Sequence, residues 1–130
     1  MKYIVYTLFL FVFLSCKKEK QAPPELLGKW KMNYKQHFIF DAGISTTWID
    51  TIYSNNKTFE FFQDWKVKTN KYFPNCVGEY SLSNNNKHIK ISFDCNNALL
   101  DYTIFKNISD TLILQKDDGI DLYKEIYIKQ

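Results

Sequence analysis

From Leu26 onward, no segment of this 130-residue chain keeps a helical hydrophobic period through three turns. What recurs instead is a short run rich in Ile, Phe, Tyr, Thr and Trp, closed by Asn, Asp or Gly. These runs predict strands at 29–40 (bent or interrupted), 44–53, 57–63, 65–72, 76–83, 88–94, 99–107, 110–116 and 120–129. Breaks fall at Asp41-Ala42-Gly43, Ser54-Asn55-Asn56, Asp64, Phe73-Pro74-Asn75, Asn84 to Lys87, Asn96-Asn97, Ser109-Asp110 and Asp117-Asp118-Gly119. Spacings near ten residues with short turns make sequential strands antiparallel neighbours, and closing such a meander removes its exposed edges. The expected fold is all-β, a single up-and-down antiparallel barrel of about eight strands.

One hairpin can be worked out to the residue. A two-residue turn at Asn85-Asn86 requires positive φ at both positions, which Asn tolerates. Leu82 then opposes Ile89, Tyr80 opposes Ile91, Gly78 opposes Phe93, and Cys76 opposes Cys95. All eight share one face, because side chains alternate along a strand. Glu79, Ser81, Ser83, His88, Lys90, Ser92 and Asp94 take the other, with Val77 its one apolar member. A slip of one residue would undo this sorting. The register puts the Cys76 and Cys95 Cα atoms roughly 5.5 Å apart, within disulfide range. The bridge would contribute about 3 kcal/mol by loop entropy; two free, buried cysteines are the other reading.

The first residues read as an address. Lys2, an apolar run to Leu14 and a small Ser15 before Cys16 make a secretory signal, too short for a spanning helix of about 20 residues. Phe13-Leu14-Ser15-Cys16 resembles a bacterial lipobox, in its looser Bacteroidetes form, with Phe13 where Leu is usual. The resemblance implies cleavage before Cys16 and a lipid on its thiol. An ordinary secretory signal with an incidental cysteine is the alternative. The expected divisions are residues 1–15 as signal peptide, 16–25 as lipidated cysteine and flexible tether, and 26–130 as the barrel domain. Lys17, not Asp, after the cysteine favours the outer membrane, with the leaflet open. The remaining cysteines are even in number, as a compartment permitting disulfides would have them.

Once Lys2 leaves with the leader, 16 of the 17 lysines face 14 acidic residues, a net charge of +2. The signs alternate, and no Arg is present to supply the fork that reads guanine or phosphate, so nucleic acid is not an expected partner. His37 and His88 are the only histidines, too few with the paired cysteines to suggest a metal site. No Gly-x-Ser-x-Gly elbow and no Gly-rich phosphate loop occur. Asp117-Asp118-Gly119 lacks calcium-loop spacing and reads as a hairpin turn. Neither an enzyme nor a cofactor is expected.

Aromatic residues make up 18% of the chain, too many for one small core layer. They either fill the barrel, whose eight-stranded interior is just wide enough for side chains, or line a cavity or the surface. Phe59 and Phe61 share a face with Lys57 and Gln63, leaving Phe62 beside Glu60. In 120–129, Ile120, Leu122, Ile126 and Ile128 share a face with Lys124. The opposite face, Asp121, Tyr123, Glu125, Tyr127 and Lys129, reads as a wet exterior or a protein contact.

Leu26-Leu27-Gly28-Lys29-Trp30 resembles the Gly-x-Trp opening of lipocalins and of the lipocalin-like lipoproteins of Bacteroidetes. That resemblance implies a calycin-like barrel whose closed floor is Trp30, with Leu26 and Leu27 beside it. Cys76-Val77-Gly78-Glu79-Tyr80 and Ile126-Tyr127-Ile128-Lys129 fit the same strand order. The chain is shorter than a full lipocalin, without a terminal helix or the basic residue, usually Arg, that packs on the tryptophan. Those departures argue against a deep cavity. The expected function is non-covalent binding of a small hydrophobic ligand or peptide at the cell envelope. The alternative is a filled barrel acting on a protein partner through an exposed surface, as accessory subunit, inhibitor or immunity-type factor.

Overall fold

The computed structural model describes residues 20–40, 46–51, 56–117, 119 and 122–130, with backbone alone at 39, 40 and 46. Nine strands follow one another: β1 (Gly28–Phe40), β2 (Thr46–Thr51), β3 (Thr58–Phe61), β4 (Lys66–Thr69), β5 (Cys76–Ser83), β6 (His88–Phe93), β7 (Leu99–Ile108), β8 (Thr111–Asp117) and β9 (Leu122–Lys129). They form one antiparallel sheet in the order β2-β1-β3-β4-β5-β6-β7-β8-β9, and β1 meets β9 to close the ring. β1 is long enough to serve two partners on one side. Gly28 to Lys31 pair with β3, and Lys35 to Phe40 pair with β2. The descending β2 and β3 therefore occupy one position of the ring, and nine strands make a closed eight-stranded antiparallel barrel.

The predicted hairpin is present. Gly78 opposes Phe93, Tyr80 opposes Ile91, and Leu82 opposes Ile89. Asn85 and Asn86 carry φ of 53° and 64°, and the Lys87 N–H donates to the Asn84 carbonyl at 3.1 Å. Asn84 is left-handed too, with φ of 51°, so three successive asparagines carry the turn in the sense of twist the strands require. Burial alternates along both strands as the sequence pattern demands. Cys76 and Cys95 form a disulfide with Cα atoms 5.8 Å apart. Gly78 is needed on this ribbon, since a Cβ there would lie 2.2 Å from the Ser92 carbonyl oxygen.

One end of the barrel is closed by the segment before β1. Leu26 N–H donates to the Pro23 carbonyl at 3.0 Å, forming a turn that drives Leu26 into the core. Ala22 is also buried and Lys20 O accepts from the Trp65 indole N–H at 3.0 Å, so the packed body starts upstream of Leu26, within the expected tether. Trp30 is fully buried and donates its Nε1–H to Leu26 O at 2.8 Å; Leu27 packs partly buried against the same core. Lys129 brings its ammonium to 5.2 Å from the Trp30 ring centroid. The last strand thus supplies a basic residue on the tryptophan, a position for which the sequence offered no Arg.

Aromatic and aliphatic side chains fill the interior above this floor. Phe59 packs on Phe61 at 5.8 Å and on Tyr127 at 5.4 Å, while Phe61 meets Tyr80 edge-on at 5.1 Å. Ile89, Ile91, Leu112 and Leu114 complete the core. One expected facing is reversed: Glu125 and Tyr127 point inward and are buried. Closure decides this. Tyr127 lies opposite Met32 of β1 and Leu112 of β8, and both of those face the core.

Candidate functional site

The inward face of β9 meets the chain just after β4 at the open end of the barrel. Thr69, at the end of β4, donates its hydroxyl to Thr58 O at 2.7 Å and accepts the Lys71 N–H at 3.0 Å. Asn70 accepts the Thr58 N–H at 2.7 Å and donates to Asn56 O at 2.7 Å. These bonds end β4 early and turn the chain inward. The Lys71 side chain enters the mouth, where its ammonium meets both Glu125 carboxylate oxygens at 2.5 and 2.7 Å. The pair is deeply buried, with side chains 7% and 3% exposed.

Phenols complete the coordination. Lys71 Nζ also donates to Tyr102 Oη at 3.0 Å, and the Tyr127 hydroxyl donates to Glu125 Oε2 at 2.9 Å. Burial pushes the Tyr102 and Tyr127 phenols well above their ordinary range, and the Glu125 charge adds to this. Tyr72 is raised for the same two reasons, against a hydrogen bond with Tyr102 that lowers it. Burial lowers the Lys71 pKa; Glu125 opposes that, while the nearby Lys35 and Lys57 charges reinforce it. All three phenols therefore stay neutral at neutral pH, with Tyr127 donating to Glu125 and Tyr102 accepting from Lys71.

Above the pair lies a pocket of about 200 Å³ lined by Met32, Lys35, Lys57, Lys71, Tyr72, Tyr123 and Glu125. Lys35 reaches it from β1, with Nζ 3.5 Å from the Tyr123 ring centroid. Lys57 precedes β3, and its carbonyl accepts the Met32 N–H at 2.8 Å. His37 stands near the same rim, its ring 5.9 Å from that of Tyr123. A larger cleft of about 420 Å³ lies outside the closed end, between Lys20-Gln21 and Gln63 to Trp65. It lacks the convergent buried polar groups that orient a ligand. The mouth pocket is the better-built site: fixed charge and hydroxyl donors over a filled apolar floor.

The expected site residues fall elsewhere. Trp30, Leu26 and Leu27 sit together at the closed end, and the Cys76–Cys95 bridge joins the start of β5 to the segment after β6. Cys16 lies outside the described residues. His37 and His88 are on different strands, and among the described residues no three His, Cys, Asp or Glu side chains converge. Gly119, with φ of 82°, donates its N–H to Asp117 Oδ1 at 2.9 Å, which is turn geometry. Sequence reasoning missed Lys71, Glu125, Tyr102 and Lys35. The signal was in view: Tyr123, Glu125 and Tyr127 alternate, and tyrosines flanking a carboxylate can satisfy it inside a core.

No protein-family model and no curated protein matches the chain. Solved structures do. A lipocalin-like protein from Bacteroides uniformis ATCC 8492 superposes with a TM-score of 0.53 and 18% identity, over 82% of this chain and 99% of that one. An uncharacterized protein from Bacteroides eggerthii DSM 20697 gives 0.52 and 14%, over 80% of this chain and 98% of its own. At such identities the likeness is one of fold, and it agrees with the closed eight-strand ring. The fold of this chain is lipocalin-like.

Proposed function

We propose that this protein is a lipid-anchored envelope protein of the outer membrane that holds a small ligand non-covalently in the mouth of its barrel. The observation that carries the reading is the Lys71–Glu125 pair beneath the mouth pocket. A buried ion pair is a poor stabiliser, since well-packed apolar residues in its place are often neutral or better. Convergent polar groups over an apolar base are, however, how small-molecule sites fix orientation. The filled interior limits the ligand to a compact molecule, because the pocket of about 200 Å³ is below the usual range of 300 Å³ and above. In place of the deep apolar cavity that a hydrophobic ligand would need stands a shallow pocket whose polar groups lie over the packed core.

Anchoring at Cys16 also gives an orientation. The packed body begins near Lys20, and four residues span at most about 14 Å. The closed end then rests near the membrane and the mouth faces away from it. Native mass spectrometry of detergent-extracted protein from its own cells tests the reading. An acylated Cys16 peptide and a retained small molecule are expected. An unacylated chain overturns the anchoring. The absence of any retained molecule, with no added compound shifting the amide resonances of the mouth, overturns the binding role.

A second reading, action through an exposed face, has one observation in its favour. Phe38 and Trp48 pack at 5.1 Å on the outer surface. Lys124 Nζ lies 4.0 Å from the Trp48 centroid and 4.2 Å from that of Phe105, which is 61% exposed. A co-purifying protein lost on Phe105→Ala would favour that reading.

A further inference from the structure

We infer that the head group bound in the mouth pocket is an anion, a carboxylate or a phosphate. This rests on the binding role proposed above and specifies its chemistry. Three ammonium groups reach the pocket from three places in the fold: Lys35 from β1, Lys57 from the residue before β3, and Lys71 from the segment after β4. The described lining residues set one carboxylate, Glu125, against them. Each lysine keeps its protein contacts. Lys71 stays on Glu125 and Tyr102, and Lys35 stays over the Tyr123 ring. The inference therefore depends on the field the charges create together and not on an empty valence.

Hydrogen bonds hold the chain that carries two of these lysines. The Thr69 and Asn70 side chains clamp the Lys71 segment to Thr58, and the Met32 N–H holds the Lys57 carbonyl. Like charges held together in a concavity with apolar walls focus a positive potential into it. Lys71 is near enough to feel the other two: burial is the main cause that lowers its pKa and Glu125 opposes it, while the Lys35 and Lys57 charges add smaller lowering effects. An anion entering the pocket relieves the repulsion, a neutral polar group leaves it unchanged, and a cation worsens it. Tyr72 and Tyr123 line the same pocket and offer neutral hydroxyl donors and ring faces to the rest of a compact molecule.

The test is a titration of the full acylated protein in detergent with benzoate, phenyl phosphate, benzyl alcohol and benzylammonium, followed by amide NMR at Lys71, Tyr72 and Tyr123. One ring with four heads isolates the charge. Benzoate or phenyl phosphate is expected to bind at least tenfold tighter than the alcohol, and benzylammonium more weakly still. The tighter of the two anions identifies which acid the site prefers. Lys57→Met should weaken the anion severalfold and reduce its salt dependence, and Lys57→Arg should restore both; Lys35→Met serves if the first variant misfolds. Equal binding of alcohol and anion, or tighter binding of the ammonium, overturns the inference while leaving a binding role standing. If no probe shifts the mouth, the charge of any molecule co-extracted with the protein decides: an anion supports the inference and a neutral or cationic one refutes it. If nothing binds or co-extracts, the inference and the binding role fall together.

Discussion

Removing one partner of the Lys71–Glu125 pair should harm this barrel far more than removing both. Glu125→Gln keeps the shape of the side chain but leaves the Lys71 ammonium, 7% exposed, with neutral oxygens alone. Breaking a buried pair in this way costs about 3–5 kcal/mol, because the surviving charge has neither water nor a counter-charge. Lys71→Met does the same to Glu125, which retains the Tyr127 hydroxyl at 2.9 Å. The double variant Lys71→Met/Glu125→Leu removes both charges and should fall within about 1 kcal/mol of the wild type, or exceed it. Urea denaturation read by tryptophan fluorescence would measure all four corners of the cycle, and each single variant should melt at least roughly 12 °C lower. Single variants costing less than about 1 kcal/mol, or a double variant as unstable as the two losses combined, would refute the argument that the pair is retained for something other than stability. A double variant that is stable yet no longer binds the anionic probes would separate folding from function in one molecule.

Two other expectations follow from geometry and titration. Gly78→Ala would set a Cβ 2.2 Å from the Ser92 carbonyl oxygen and 2.7 Å from the Phe93 ring, and the oxygen is backbone that cannot swing away. A loss of about 3 kcal/mol is expected in urea denaturation; a loss under about 1 kcal/mol would mean the β5–β6 ribbon is looser than described. Stability should also fall as pH rises through 10. Tyr80, pushed up to about 12 by burial, and Tyr72, Tyr102 and Tyr127, all raised, hold their protons in the folded state after the unfolded chain has lost them at the ordinary 10.0. Below 10 both states are protonated and these groups contribute no slope; above it the unfolded state is favoured by proton release. Lys71 works oppositely, since its folded pKa lies below the unfolded 10.5 and stability rises between the two. Four phenols against one ammonium give a net decline, and a urea midpoint unchanged or higher at pH 11 than at pH 9.5 would contradict it.

The amino-acid sequence alone determined the features that are local in the chain. Alternation within eight or ten residues fixed which side of the β5–β6 ribbon is apolar. The left-handed tolerance of Asn85 and Asn86 set its register, and that register brought Cys76 against Cys95. Strand order followed from short turns, which leave sequential strands nowhere to go except beside one another. Tertiary structure decided what depends on partners far along the chain. β4 stops short of its predicted end because Thr69 and Asn70 turn the chain into the mouth, and that bend is stabilised only where Glu125 is waiting, 54 residues away. For the same reason the charged face of β9 reads as exterior in the sequence and is interior in the barrel. A binary pattern treats Glu as solvent-facing, whereas the closed ring surrounds Glu125 with Lys71 and Tyr127 and makes its burial tolerable.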